Sequence, residues 1–239
     1  MTLVVGIIAK DGIVLASDSR MTSEITSNDN VEKILKLGEH GAVGVCGDGT
    51  LGLHMLKVIS EDFNYESMGI VKLVEKFREK GKEKFEDYFS HQQDPAKRPL
   101  LTFLIAGYEK NTNQPEIYEL SSKDNFVPRP APTGHACIGI PYIADYLLNR
   151  FYEKTITVKQ AEILASFCIM ETESQSHDVG GDIKVASIST SKNFSTLSTK
   201  EIDAIKEKNK VFHFGNKSKF YPEEEPASGL SHKSTVKFF

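Results

Sequence analysis

The sequence has few cysteines and no long apolar run. Cys46, Cys137 and Cys168 stand far apart, with no CxxC pair. Neither a disulfide framework nor a cysteine-ligated metal is indicated, and each thiol sits in apolar company that suits burial. No hydrophobic stretch approaches the ~18 residues that a membrane span needs. No signal-like segment precedes the first apolar run, so the expectation is a cytoplasmic protein with no membrane contact. Positive charge is not in excess: 29 Lys and Arg face 33 Asp and Glu, a net charge of −4. That balance argues against a general nucleic-acid binder. His135, His177 and the acidic residues show no metal-ligand spacing, so no metal or other cofactor is expected. There is no internal repeat. Two Asn-x-Ser sequons, at Asn193 and Asn216, carry little weight without a secretory route.

What remains is a chain of 239 residues with 39% hydrophobic and 26% charged residues, ordinary for a globular fold. One domain over residues 1–198 is expected, followed by a C-terminal extension over 199–239. Two apolar runs, 3–9 and 13–16, flank Lys10-Asp11-Gly12, a tight-turn signal for a hairpin. After a polar loop, short strands are predicted at 33–37 and 42–46. Leu51, Leu53, Leu56, Val58 and Ile59 predict a helix over 50–63, and a stripe of Ile70, Val71, Val74, Phe77, Phe85 and Phe89 predicts another over 68–89. The charge run through that second helix is read as its solvated face. Strands are predicted at 100–108 and 116–120, a Pro-punctuated loop or edge at 127–132, helices at 142–152 and 158–173, and strands at 183–188 and 194–197. A short helix is placed at 200–208, and 217–239 reads as a polar tail. Strands, two helices, strands, two helices and strands fit two packed sheets, each covered by a helix pair.

The chain opens Met1-Thr2-Leu3-Val4-Val5-Gly6. Removal of Met1 would leave Thr2 with a free amine and a hydroxyl on one residue, the minimum equipment of an N-terminal nucleophile. Five segments, spread in order over residues 2–190, resemble the proteasome β-subunit type of threonine peptidase, within the N-terminal-nucleophile hydrolases. They are the opening itself, the strand ending Ser17-Asp18-Ser19-Arg20, Lys33-Ile34-Leu35-Lys36-Leu37, Val43-Gly44-Val45-Cys46-Gly47-Asp48, and Gly180-Gly181-Asp182-Ile183. The resemblance implies an α+β fold, a four-layer αββα sandwich of two antiparallel sheets flanked by helix pairs. It makes Thr2 the nucleophile, with Asp18 and Lys33 as a buried pair beside it and Arg20 in an orienting role. Gly44 matches the residue whose backbone N–H stabilises the oxyanion. Met21, Val31, Leu35, Ala42 and Cys46 are expected to line the pocket beside the nucleophile, which suggests a preference for apolar side chains before the cut.

The chain departs from that family in two places. A Gly-Ser-Gly loop before the third helix is replaced by Cys137-Ile138-Gly139-Ile140-Pro141, with no hydroxyl. An Asp-x-x-Ser-Gly-Gly run reads Ser176-His177-Asp178-Val179-Gly180-Gly181. Ser176 or Asp178 could replace the lost hydrogen bonds to the amine, and the alignment leaves both open. The family's α subunits carry an extra helix ahead of the first hairpin, for which this sequence has no room. The opening is more like the simple bacterial homologues that begin Met-Thr. Self-assembly into rings, a regulatory ATPase as partner, and peptides or unfolded proteins as substrate follow from the resemblance. Two rival readings stand beside it: a non-catalytic structural ring subunit, and an amidase of the same superfamily acting on a small amide.

Overall fold

A computed structural model describes residues 2–22, 26–38, 40–61, 68–189 and 193–220, with backbone alone at 193 and 211–220. Its first strand, β1 (Leu3–Ala9), pairs antiparallel with β2 (Gly12–Ser17) through the predicted turn. Short strands β3 (Met21–Thr22) and β4 (Ser27–Asn28) form a small ribbon within the predicted polar loop. Then follow β5 (Ile34–Leu37), β6 (Gly41–Gly47), α1 (Gly49–Glu61) and α2 (Ile70–Tyr88). The second half contains β7 (Leu101–Tyr108), β8 (Pro115–Ser121), β9 (Arg129–Pro130) and β10 (His135–Gly139). It ends with α3 (Tyr142–Phe151), α4 (Val158–Gln175), β11 (Lys184–Ser189), β12 (Asn193–Thr196) and α5 (Thr199–Phe220).

Two five-stranded antiparallel sheets result, ordered β10-β1-β2-β11-β12 and β5-β6-β7-β8-β9. Strand alternation explains why β1 reads as a continuous apolar run. Leu3, Val5 and Ile7 face α3 and α4, while Val4 faces the opposite sheet. Both faces of the strand are buried, so neither is free to be polar. β7 does the same in the second sheet: Leu101, Phe103 and Ile105 face α1 and α2, and Leu104 and Ala106 face the first sheet. Three apolar layers therefore separate four structural layers, the αββα sandwich.

Two elements differ from the sequence prediction. β10 falls where no element was predicted; it is an edge strand that pairs with β1 from Leu3↔Gly139 to Ile7↔His135, because the exposed flank of β1 would otherwise leave its backbone groups unpaired. α5 continues to Phe220 rather than ending near 208. It docks on α4, with Ile202 in the helix-side core and Asn209 Nδ2 donating to the Ile163 carbonyl. The remainder of the predicted tail, 221–239, lies outside the described residues.

Candidate active site

The start of β1 is tied down on both sides. The Leu3 amide donates to Asp18 Oδ1 at 3.0 Å, and the Ile140 amide donates to the Thr2 carbonyl at 3.0 Å. Gly139 is in the left-handed region at φ +100°, and a Cβ there would lie 1.8 Å from the Thr2 carbonyl oxygen. No other residue fits against Thr2 at that point. Thr2 itself is buried.

Asp18 ends β2, and its carboxylate is fully enclosed. Besides the Leu3 amide, Oδ1 accepts from Lys33 Nζ at 2.9 Å, and Oδ2 accepts from the Gly180 amide at 3.2 Å. Lys33 Nζ also donates to the Arg20 carbonyl at 2.5 Å. Both side chains are buried, at 0% and 5% exposure. Burial pulls the Lys33 ammonium below its ordinary pKa, and the charge of Asp18 opposes that pull. A buried cation persists only with such a partner. The predicted Asp18–Lys33 pair is thus brought together, under the first residue of β1.

Arg20 does not enter this pair by its side chain. Its guanidinium forms a two-pronged bond to Asp29, Nε to Oδ1 at 2.8 Å and Nη2 to Oδ2 at 3.0 Å, and donates to the His177 carbonyl at 3.1 Å. Ser176 caps the end of α4, and its Oγ accepts from the Asp178 amide at 3.4 Å. Neither Ser176 nor Asp178 lines a cavity at Thr2. They shape the turn that delivers the Gly180 amide to Asp18.

Thr2 borders two cavities. The smaller, about 40 Å³, is lined by Thr2 and Lys33 together with Met21, Val31, Cys46 and Leu53, among others. Of the predicted pocket residues, Met21, Val31 and Cys46 are therefore present. Leu35 and Ala42 are not: Leu35 packs toward α1 and α2, and Ala42 lies between the sheets. Gly44 also lies away from both cavities. A Cβ on it would meet Val4 Cγ1 at 2.5 Å, so its role is to let the two sheets close. Of the β6 glycines it is Gly47, at φ +110°, that borders both cavities with Thr2. Val45, Gly49 and Leu53 complete the small cavity and had no individual signal in the sequence. They come from the end of β6 and the first turns of α1, one to nine residues beyond Gly44.

The larger cleft, about 770 Å³, carries Asp48, Glu119, Asp124 and Asp145 beside Lys123 and Arg129. Burial raises the Glu119 carboxyl above its usual range, and Arg129 offsets this in part. Two thiols also reach the cleft. Cys137 donates to Asp145 Oδ1 at 2.7 Å, and burial with that carboxylate pushes its pKa far up. Cys46 is pushed up to about 12, chiefly by burial. Neither forms a thiolate near neutral pH, so neither is an activated nucleophile. Among the described residues no group of His, Cys, Asp and Glu is arranged to hold a metal ion, and no helix is long and apolar enough to cross a membrane.

A hydroxyl residue opening the first strand, over a buried Asp–Lys pair, within two antiparallel sheets covered on their outer faces by helices, is the layout of the proteasome fold. The proteasome subunit family model matches residues 2–188, and the chain belongs to that family. It is similar to proteasome subunit alpha type-4 of Dictyostelium discoideum, 28% identical over 72% of this chain and 69% of that protein. It is similar to proteasome subunit alpha of Methanocaldococcus jannaschii, 24% identical over 87% of this chain and 77% of that protein. Among solved structures, a Gly-1 mutant of Anbu from Hyphomicrobium sp. strain MC1 superposes with a TM-score of 0.75 at 15% identity. That superposition covers 95% of this chain and 99% of that one. The expected resemblance thus holds at the level of the family and the fold, while the named relatives are alpha-type subunits rather than the β type.

Proposed function

We propose that the chain is a threonine-type peptidase whose nucleophile is Thr2, exposed by removal of Met1 and working within a ring-shaped oligomer. The observation that carries this reading is the buried Asp18–Lys33 pair, with Lys33 and Thr2 lining one small cavity. A buried ammonium costs stability, and here its charge lies beside the one residue able to pair a hydroxyl with a terminal amine.

With Met1 gone, the Thr2 α-amine has a pKa of about 7.7–8.0, so a fraction on the order of a tenth to a third is free base near neutral pH. It takes the Thr2 hydroxyl proton, directly or through one water. The oxygen attacks a peptide carbonyl, and Lys33 supplies the positive potential that favours loss of the proton. The tetrahedral oxyanion is met by backbone N–H at the Gly47 end of β6. Collapse expels the amine, which takes the proton back, and leaves an ester on Thr2. Water hydrolyses the ester and frees the enzyme. The small cavity of Met21, Val31, Val45 and Leu53 suits an apolar side chain before the cut. Peptides or unfolded proteins are the substrate class, and a regulatory ATPase would deliver them.

A second reading is favoured by one finding: the relatives named above are called alpha subunits. In that reading the chain is a structural ring subunit and Thr2 only begins a strand. Peptide hydrolysis by the Thr2→Ala variant separates the two. Unchanged assembly by light scattering with loss of all hydrolysis supports the peptidase. Hydrolysis equal to wild type leaves the structural subunit as the better reading.

A further inference from the structure

A second ion pair, Arg20–Asp29, lies at the surface beside the Asp18–Lys33 pair. We propose that Asp29 is a positioning residue for the Thr2 site: it fixes Arg20, and through the Arg20 main chain it fixes Lys33 beside Thr2. The inference rests on the peptidase reading of Thr2.

Asp29 lies between β4 and β5 and lines neither cavity. Its carboxylate grips the Arg20 guanidinium with both oxygens, at 2.8 and 3.0 Å. Its carbonyl accepts from Ser19 Oγ, and that hydroxyl in turn accepts from the Asp182 amide at 2.7 Å. Asp29 therefore holds residues 19 and 20 by side chain and main chain at once. The other ends of these contacts lead to the catalytic pair. The Arg20 carbonyl is the second acceptor for Lys33 Nζ. The Ser19 and Arg20 amides both donate to the Gly180 carbonyl, at 3.1 and 2.9 Å, while the Gly180 amide donates to Asp18. The guanidinium lies flat against Gly180, where a Cβ would come within 2.5 Å of Arg20 Cζ. One carboxylate thus clamps the turn holding Asp18 to the strand end holding Lys33.

The chemistry explains the residue types. A planar guanidinium and a carboxylate match two-to-two, which fixes orientation as well as distance. A lysine at position 20 would give a point charge without orientation. Arg20 also faces Glu173 and Asp18, and Lys33 faces Asp18, Arg20 and Cys46. The pair is half open to solvent on the Asp29 side, so its contribution to overall stability is small. Its contribution to geometry is not, because small misplacement at a reacting centre is expensive.

The test uses the full chain, with Met1 loss checked by mass, as wild type, Asp29→Asn and Asp29→Glu. Three quantities are read: the rate at which a Thr-directed covalent inhibitor labels Thr2 across pH, the melting temperature, and the NMR titration of Lys33. In Asp29→Asn, labelling should slow by about 10- to 100-fold, with the melting temperature within about 4 °C of wild type. Asp29→Glu, which keeps the charge and the fork, should recover part of the rate. The Lys33 titration should move upward in Asp29→Asn, because relief of burial, the largest force holding it down, outweighs the lost attraction of the Asp29 charge; a downward move would report that lost charge alone and overturn the clamp. Wild-type labelling rate and an unmoved Lys33 titration in Asp29→Asn would overturn the proposal and leave a surface ion pair. Should wild type not be labelled at all, the peptidase reading fails. The clamp is then judged on Lys33 alone, and an unmoved titration overturns it too.

Discussion

Asp18→Asn is the perturbation whose cost follows most directly from the structure. The Asp18 carboxylate accepts from the Leu3 amide, the Gly180 amide and Lys33 Nζ. Asparagine keeps the shape and one acceptor oxygen, but it removes the charge and turns the other end into a donor facing donors. Lys33, 5% exposed, is left as a buried ammonium with neutral acceptors and no counter-charge. Breaking one side of a buried pair costs about 3–5 kcal/mol. For a domain of this size each kcal/mol moves the melting temperature by about 2–4 °C, so a drop on the order of 6–20 °C is expected. The sign with pH is also determined. Lys33 already sits below its ordinary pKa in the folded chain, and loss of Asp18 lowers it further. Between that folded value and about 10.4 the unfolded chain binds more protons, so the stability of the variant rises with pH. The gap to wild type should therefore narrow from pH 7 toward pH 10. Denaturant titrations at several pH values measure both effects, and Asp18→Asn with Lys33→Met should cost less than the sum of the singles. A loss under about 1 kcal/mol with no pH trend would refute the account of this pair.

Gly44 and Gly47, both on β6, should behave differently. Gly44→Ala drives a methyl onto Val4 and should cost about 1–3 kcal/mol while folded protein keeps its rate of Thr2 labelling. Gly47→Ala clashes with the Leu100 carbonyl at 2.1 Å from a left-handed φ, and should lose stability and labelling together; equal labelling loss in both would argue against the assignment to Gly47. Glu119→Gln should stabilise the protein at pH 7, because a carboxyl whose folded pKa is raised loses stability as pH rises from the unfolded value through the folded one. The gain should vanish below about pH 4, and thermal melts against pH check it.

Much of this fold was legible in the sequence because burial leaves a periodic trace. The unbroken run of β1 follows from packing on both faces, and the stripe of α2 follows from packing on one. β10 left no such trace: five residues with a glycine at the end resemble a loop until β1 is seen to need a neighbour. Asp18 and Lys33 were assigned through the resemblance of their strand segments to the family, while the apolar strand around Lys33 alone left Lys33 and Lys36 both open. The oxyanion role was assigned to Gly44 rather than Gly47, three residues on. Which one stands beside Thr2 depends on Val4 filling the space over Gly44, a contact between distant strands. Leu35 and Ala42 were misplaced for the same reason, by the register of β5 and β6 against the other sheet. Asp29 sits in a polar loop without periodicity, and only the three-dimensional approach of Arg20 distinguishes it.

The central claim is that Thr2 is an N-terminal nucleophile, and intact-protein mass after incubation with a Thr-directed covalent inhibitor tests it most directly. The account predicts a chain lacking Met1 that gains one inhibitor, with the adduct in the peptide beginning at Thr2 and absent from Thr2→Ala. A folded chain lacking Met1 that gains no adduct, or an adduct that persists in Thr2→Ala, would contradict it.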